Sequence, residues 1–84
     1  MAQSKKPSKE EIKMAFVASC IEDVANRLNV PYYEIFERMD KVQLLDKYIY
    51  PHYETLHTES RENLTSSLIE TLTRWENEKE RRPN

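Results

Sequence analysis

The chain of 84 residues contains no glycine, where average usage near 7 % would supply roughly six. Several devices are excluded together. Phosphate-cradling loops, the strand-to-helix nucleophile elbow and tight primed hairpin turns each need backbone that glycine adopts cheaply. Helices are what this leaves. Cysteine is nearly absent as well: Cys20 stands alone, so no internal disulfide forms, as suits a reducing compartment. Its place in an apolar helical stretch, with no activating base or helix N-terminus evident, predicts a core thiol. No apolar run nears the roughly 18 residues of a membrane span. The lysines near the start are followed by no signal-peptide pattern. The expected location is cytoplasmic, without membrane contact.

What is present fits one small domain. Charged residues make up 33 % and hydrophobic ones 38 %, the balance of a soluble helical protein with one buried stripe per helix rather than of a disordered segment. A chain this short buries one modest core, with stability of about 4–12 kcal/mol on the usual per-residue scale. The net charge of −2 hides an uneven distribution, because residues 14–73 carry ten acids against five bases while both ends are basic. An acidic body argues against a nucleic-acid partner, which calls for clustered Lys and Arg, despite Lys5, Lys6, Lys9 and Lys13 in the arm.

Periodicity places the helices. Ser8 followed by Glu11 is a capping box opening a helix from Lys9 to about Leu28, in which Met14, Val17, Ile21, Val24 and Leu28 step by three and four, flanked by Ile12, Phe16 and Cys20. So wide an apolar surface needs neighbours on two sides or serves a homodimer seam. Asn29 tolerates the left-handed cap. Pro31 starts a second helix whose Tyr32, Ile35, Phe36 and Met39 predict one buried face. A third, shorter helix carries Val42, Leu45, Tyr48 and Ile49 and ends near Tyr50, ahead of Pro51. Residues 52–58 read as a connector, with Thr58 or Ser60 capping a last helix from about Arg61 to Lys79 that buries Leu64, Leu68, Leu72 and Trp75. The fold class is therefore all-α: a small single-domain bundle of four helices, one short, over residues 9–80. Residues 1–8 form a flexible, disordered basic arm and 81–84 a disordered tail.

The charges have a plain account. Asp23/Arg27, Glu34/Arg38, Glu37/Lys41, Glu70/Arg74 and Glu78/Arg82 are i,i+4 pairs with the acid N-terminal, each contributing about 0.2–0.5 kcal/mol to a solvated helix face. Catalytic residues do not emerge. Ser66 and Ser67 have no base partner in view, and the carboxylate pairs lie on solvated turns. His52 and His57, five apart and with no cysteine near, do not match a zinc pair. No metal or other cofactor is expected, and His57 is expected to bond carbonyls at a helix end or pack against Tyr53. Tyrosine is the richer signal, with Tyr32, Tyr33, Tyr48, Tyr50 and Tyr53 gathered in one stretch. Tyr32, Tyr48 and Tyr53 are expected at the edge of the core. Tyr33 and Tyr50 fall off the apolar stripes and are the candidate partner-binding residues.

Phe16 to Glu22 (Phe-Val-Ala-Ser-Cys-Ile-Glu), then Ala25 and Asn29, then Tyr53 to Thr58 (Tyr-Glu-Thr-Leu-His-Thr), resemble the bacterial family catalogued as domain of unknown function 3791. The resemblance spans about residues 12–75, and its most specific element is the Tyr-x-x-Leu-His-Thr connector. Pro31 departs from it, standing where a capping Ser or Thr is expected, and the polar ends are longer. The resemblance implies a compact helical protein that partners products of neighbouring genes in small operons, in some cases in antitoxin-like arrangements. Tyr53, His57 and Thr58 are the family-motif positions, and a structural corner would require the same residue types. The leading expectation is a non-enzymatic protein-interaction module. The alternatives are a helix-turn-helix-like nucleic-acid-binding adaptor using the basic arm and the second helix, and an enzyme using Tyr53, Glu54 and His57.

Overall fold

The structure, a computed structural model, describes residues 6–81. It is all-α, and no strand occurs among the described residues. The arm and tail expected at 1–8 and 81–84 fall largely outside them. Of these ends, Lys6 to Ser8 are non-helical and Arg81 is the last residue of the final helix. No described helix is long and apolar enough to cross a membrane.

Helix α1 (Lys9–Leu28) begins at the expected capping box: Glu11 N–H donates to Ser8 Oγ at 3.1 Å and Ser8 N–H to Glu11 Oε1 at 2.9 Å. Both orphan donors are satisfied at once. It ends at Asn29, whose φ of 60° and ψ of 46° are left-handed, while the Val30 N–H reaches back to the Ala25 carbonyl at 3.0 Å. This is the six-to-one bond of a Schellman cap, with half-buried Val30 folded onto the core.

Helix α2 (Tyr32–Lys41) starts behind Pro31, which offers no side-chain cap. It packs against α1, but ten residues span only about 15 Å, half the length of α1. Two expectations are corrected, the first because so short a helix leaves the N-terminal part of α1 uncovered. Met14, counted in the buried stripe of α1, is 61 % exposed and Ile12 and Leu28 are also exposed, whereas Cys20 and Ala25 are buried beside Ile21 and Val24. On α2 itself only Ile35 and Met39 are buried; Tyr32 and Phe36 are exposed.

The third helix is π-helical rather than α-helical, over Leu45–Ile49, with Tyr50 N–H donating to the Leu45 carbonyl at 3.0 Å. Its entry is Gln43, at a φ of 62°. The widened turn has a packing reason. Leu44 and Ile49 are both fully buried, and five residues would set them about 140° apart on an α-helix, whereas the wider i→i−5 turn brings them toward the same side. The α-helical pattern that included Val42, Leu45 and Tyr48 thus missed Leu44; those three are only half-buried.

The connector contains a one-turn helix α3 (Tyr53–Leu56), which buries Leu56. Ser60 then caps α4 (Arg61–Arg81), its Oγ accepting from the Asn63 N–H at 3.2 Å. Leu64, Leu68 and Leu72 are buried as expected, joined by Thr65 and Thr71, with Trp75 half-buried against Tyr48 at 5.9 Å between ring centroids. Thr65 Oγ1 donates to the Arg61 carbonyl at 2.8 Å, so its hydroxyl is paired. Helix α4 packs along α1, and one core joins the five helical segments found among the described residues.

Candidate interaction site

The tyrosines divide into two groups. Tyr50 is half-buried and turned toward α1, where its hydroxyl donates to Glu10 Oε1 at 2.5 Å. The phenol is held above its ordinary pKa, first by that bond, since the carboxylate favours the protonated phenol. Lys13 lies over both the Tyr50 ring, at 5.3 Å, and the Tyr53 ring, at 5.8 Å. Tyr53 meets Phe16 edge-on at 5.2 Å and stacks flat on His57 at 4.6 Å. These are favourable aromatic geometries.

The family-motif residues therefore build a corner against the N-terminal half of α1. His57 packs against Tyr53, one of the two arrangements expected for it. Thr58 Oγ1 donates to the Thr55 carbonyl at 2.8 Å, tying the turn after α3. Glu54 points to Lys9, 3.5 Å away. His52 Nδ1–H donates to the Tyr48 carbonyl at 2.7 Å. Tyr53 and His57 are thus engaged with each other, while the Glu54 carboxylate is paired with Lys9. Among the described residues no three of His, Cys, Asp and Glu come together as metal ligands. Cys20 is buried in α1, and that burial, with a smaller contribution from Asp23, pushes its thiol up to about 12.

On α2 the arrangement is different. Tyr33 is 65 % exposed, and Tyr32 and Phe36 flank it at 45 % and 42 %. Tyr33 was foreseen as exposed because it lies off the buried stripe. Tyr32 and Phe36 were not, because a periodic pattern does not reveal that the neighbouring helices leave part of it uncovered. At about 100° per residue, Tyr33, Phe36, Glu37 and Asp40 fall within an arc of about 100° directed away from Ile35.

Charge pairing also departs from the helical i,i+4 scheme. Arg61 grips Asp23 of α1 through Nε and Nη2, both at 3.0 Å, and Arg27 instead donates to Ser66 Oγ at 3.0 Å. Arg38 reaches across to Glu76 rather than to Glu34. The reason is geometric: a guanidinium matches a carboxylate fork on a neighbouring helix better than one on its own. Arg82, the partner assigned to Glu78, lies outside the described residues.

The molecule is thus a small all-α domain with an aromatic corner at one place and an exposed aromatic helix face at another. The family described as protein of unknown function (DUF3791) matches residues 15–75, and the chain belongs to that family. No curated protein and no solved structure matches the chain.

Proposed function

We propose that the protein is a non-enzymatic interaction module that binds another protein through the exposed face of α2. The observation that carries this reading is the exposure of Tyr33, Tyr32 and Phe36 on one ten-residue helix. Large rings held rigid on a helix bind with little loss of conformational entropy, and Tyr is enriched among interface hot spots. Tyr33 is the central contact. Tyr50, the second contact expected from sequence, has its hydroxyl bonded to Glu10 and its ring beside Lys13, so it belongs to the aromatic corner against α1 rather than to the α2 face. The acidic α2 face supports a protein over nucleic acid, since its carboxylates would meet phosphates of like charge. The stacking of Tyr53 on His57 and the pairing of Glu54 with Lys9 support a packing role for these residues over a catalytic one.

The test is quantitative affinity capture from nuclease-treated lysate of the native host, comparing the wild type with Tyr33→Ala/Phe36→Ala. A stoichiometric partner lost from the double variant is the expected result. Identical capture by both proteins, or capture of nothing, overturns the reading.

A further inference from the structure

Helix α2 carries a second stripe besides its buried one. Tyr33, Phe36, Glu37 and Asp40 stand at i, i+3, i+4 and i+7, the spacing at which one helix face meets another. All four are exposed. The charges around these rings are mainly acidic. Glu34, Glu37 and Asp40 are exposed, whereas Arg38 is bonded to Glu76, and the offsetting cations, Lys41 and the Lys79 ammonium that donates to its carbonyl, stand at the end of the helix. A shallow depression of about 360 Å³, lined by Glu34, Glu37, Arg38, Asp40 and Lys41, adjoins the Tyr33 side of the stripe.

Resting on the interaction reading above, we infer that this stripe docks a basic amphipathic helix of a partner protein. Apolar side chains of that helix cover Tyr33 and Phe36. Its Lys or Arg heads reach Glu37, Asp40 and the depression beside them, and a cation over the Tyr33 ring gains further attraction from the ring face. Other occupants meet repulsion. A two-fold dimer through the same stripe would bring Glu37 and Asp40 of both copies together, and a membrane surface is itself negative.

The experiment titrates isotope-labelled full-length protein with synthetic Leu/Lys peptide of roughly five helical turns, and in parallel with peptides carrying Glu or Gln in place of Lys. Amide shifts are followed by NMR. Expected are saturable shifts concentrated on residues 33–41 with the Lys peptide and none with the Glu peptide. Glu37→Lys/Asp40→Lys should weaken the Lys peptide by about tenfold, a loss of about 1.4 kcal/mol, and strengthen the Glu peptide. Glu37→Gln/Asp40→Asn should give an intermediate loss and covers the case in which charge reversal unfolds α2. Equal affinity for the Lys and Glu peptides, shifts spread over the acidic surface at large, or self-association through residues 33–41 without peptide overturns the inference. The captured partner separates the two claims. Its loss with Tyr33→Ala/Phe36→Ala but retention with Glu37→Lys/Asp40→Lys refutes a basic partner and leaves the interaction reading standing; retention with both refutes both.

Discussion

Arg38 of α2 and Glu76 of α4 hold each other through two parallel hydrogen bonds, Nε to Oε2 and Nη2 to Oε1, each 2.8 Å long. The clamp fixes one side of the short α2 and consumes its central positive charge, which leaves the outward face acidic. Both side chains are about one-third exposed, so water screens part of the attraction. A double-mutant cycle with Arg38→Ala and Glu76→Ala should give a coupling of about 1 kcal/mol, read from urea denaturation. Coupling indistinguishable from zero would mean that the fork contributes nothing to stability.

Without glycine, the chain places Asn29 and Gln43 at positive φ. Asn adopts this region more easily than other residues with a Cβ, whereas Gln43 has no such advantage. Gln43→Gly should therefore raise stability by about 0.5–1 kcal/mol, even after the added freedom of the unfolded chain is subtracted. Asn29→Ala should lower it by about 1 kcal/mol. Denaturant midpoints check both, and a destabilised Gln43→Gly would place the value of that residue in its side chain instead.

The motif corner predicts unequal losses. Tyr53 contacts Phe16, His57 and Lys13, whereas His57 is exposed and touches chiefly the Tyr53 ring. Tyr53→Ala should cost about 2 kcal/mol and His57→Ala about 0.5 kcal/mol. If His57→Ala instead leaves thermal stability untouched and abolishes partner capture, the motif is a contact site rather than a corner.

Local signals were legible where they depend on a few adjacent residues. The Ser8/Glu11 box, the Asn29 cap, the Leu64/Leu68/Leu72 stripe and the Cys20 thiol in the core all follow from spacing and residue chemistry. Features set by tertiary fit were not. The π-turn arises because Leu44 and Ile49 must enter the same core, and no α-helical period marks them as partners. Asp23 is bonded to Arg61 and Arg38 to Glu76 across helices, a choice decided by which helices are adjacent. At the candidate site, Tyr33 stood out because it left the stripe. Tyr32 and Phe36 required knowing how little of α2 its neighbours cover.

Tyr50 should titrate late. Its phenol donates to Glu10, and this bond is the main cause of its raised pKa. The sign follows: the bond is intact below the ordinary phenol pKa of about 10 and is lost as pH rises through the higher value in the folded protein. In a spectrophotometric titration the tyrosine that ionises last should disappear with Tyr50→Phe and shift down with Glu10→Gln. An unchanged last ionisation in both variants would show that the bond does not persist in solution.

Cys20 offers a probe of the whole core. Burial moves its thiol from near 9 to about 12, so the folded protein disfavours the thiolate that a disulfide reagent attacks. At pH 8 the native chain should react far more slowly than the urea-unfolded chain, and the rate should rise with denaturant as the opened population grows. The same shift destabilises the fold in alkali. A folded pKa above the unfolded one contributes stability that is complete below about pH 9 and is lost as pH climbs toward 12. Cys20→Ala, although it leaves a small void, should therefore show a shallower decline over that window than the wild type. A native thiol that reacts as fast as the unfolded one would contradict the packing of α1 against α2 and α4 that buries Cys20.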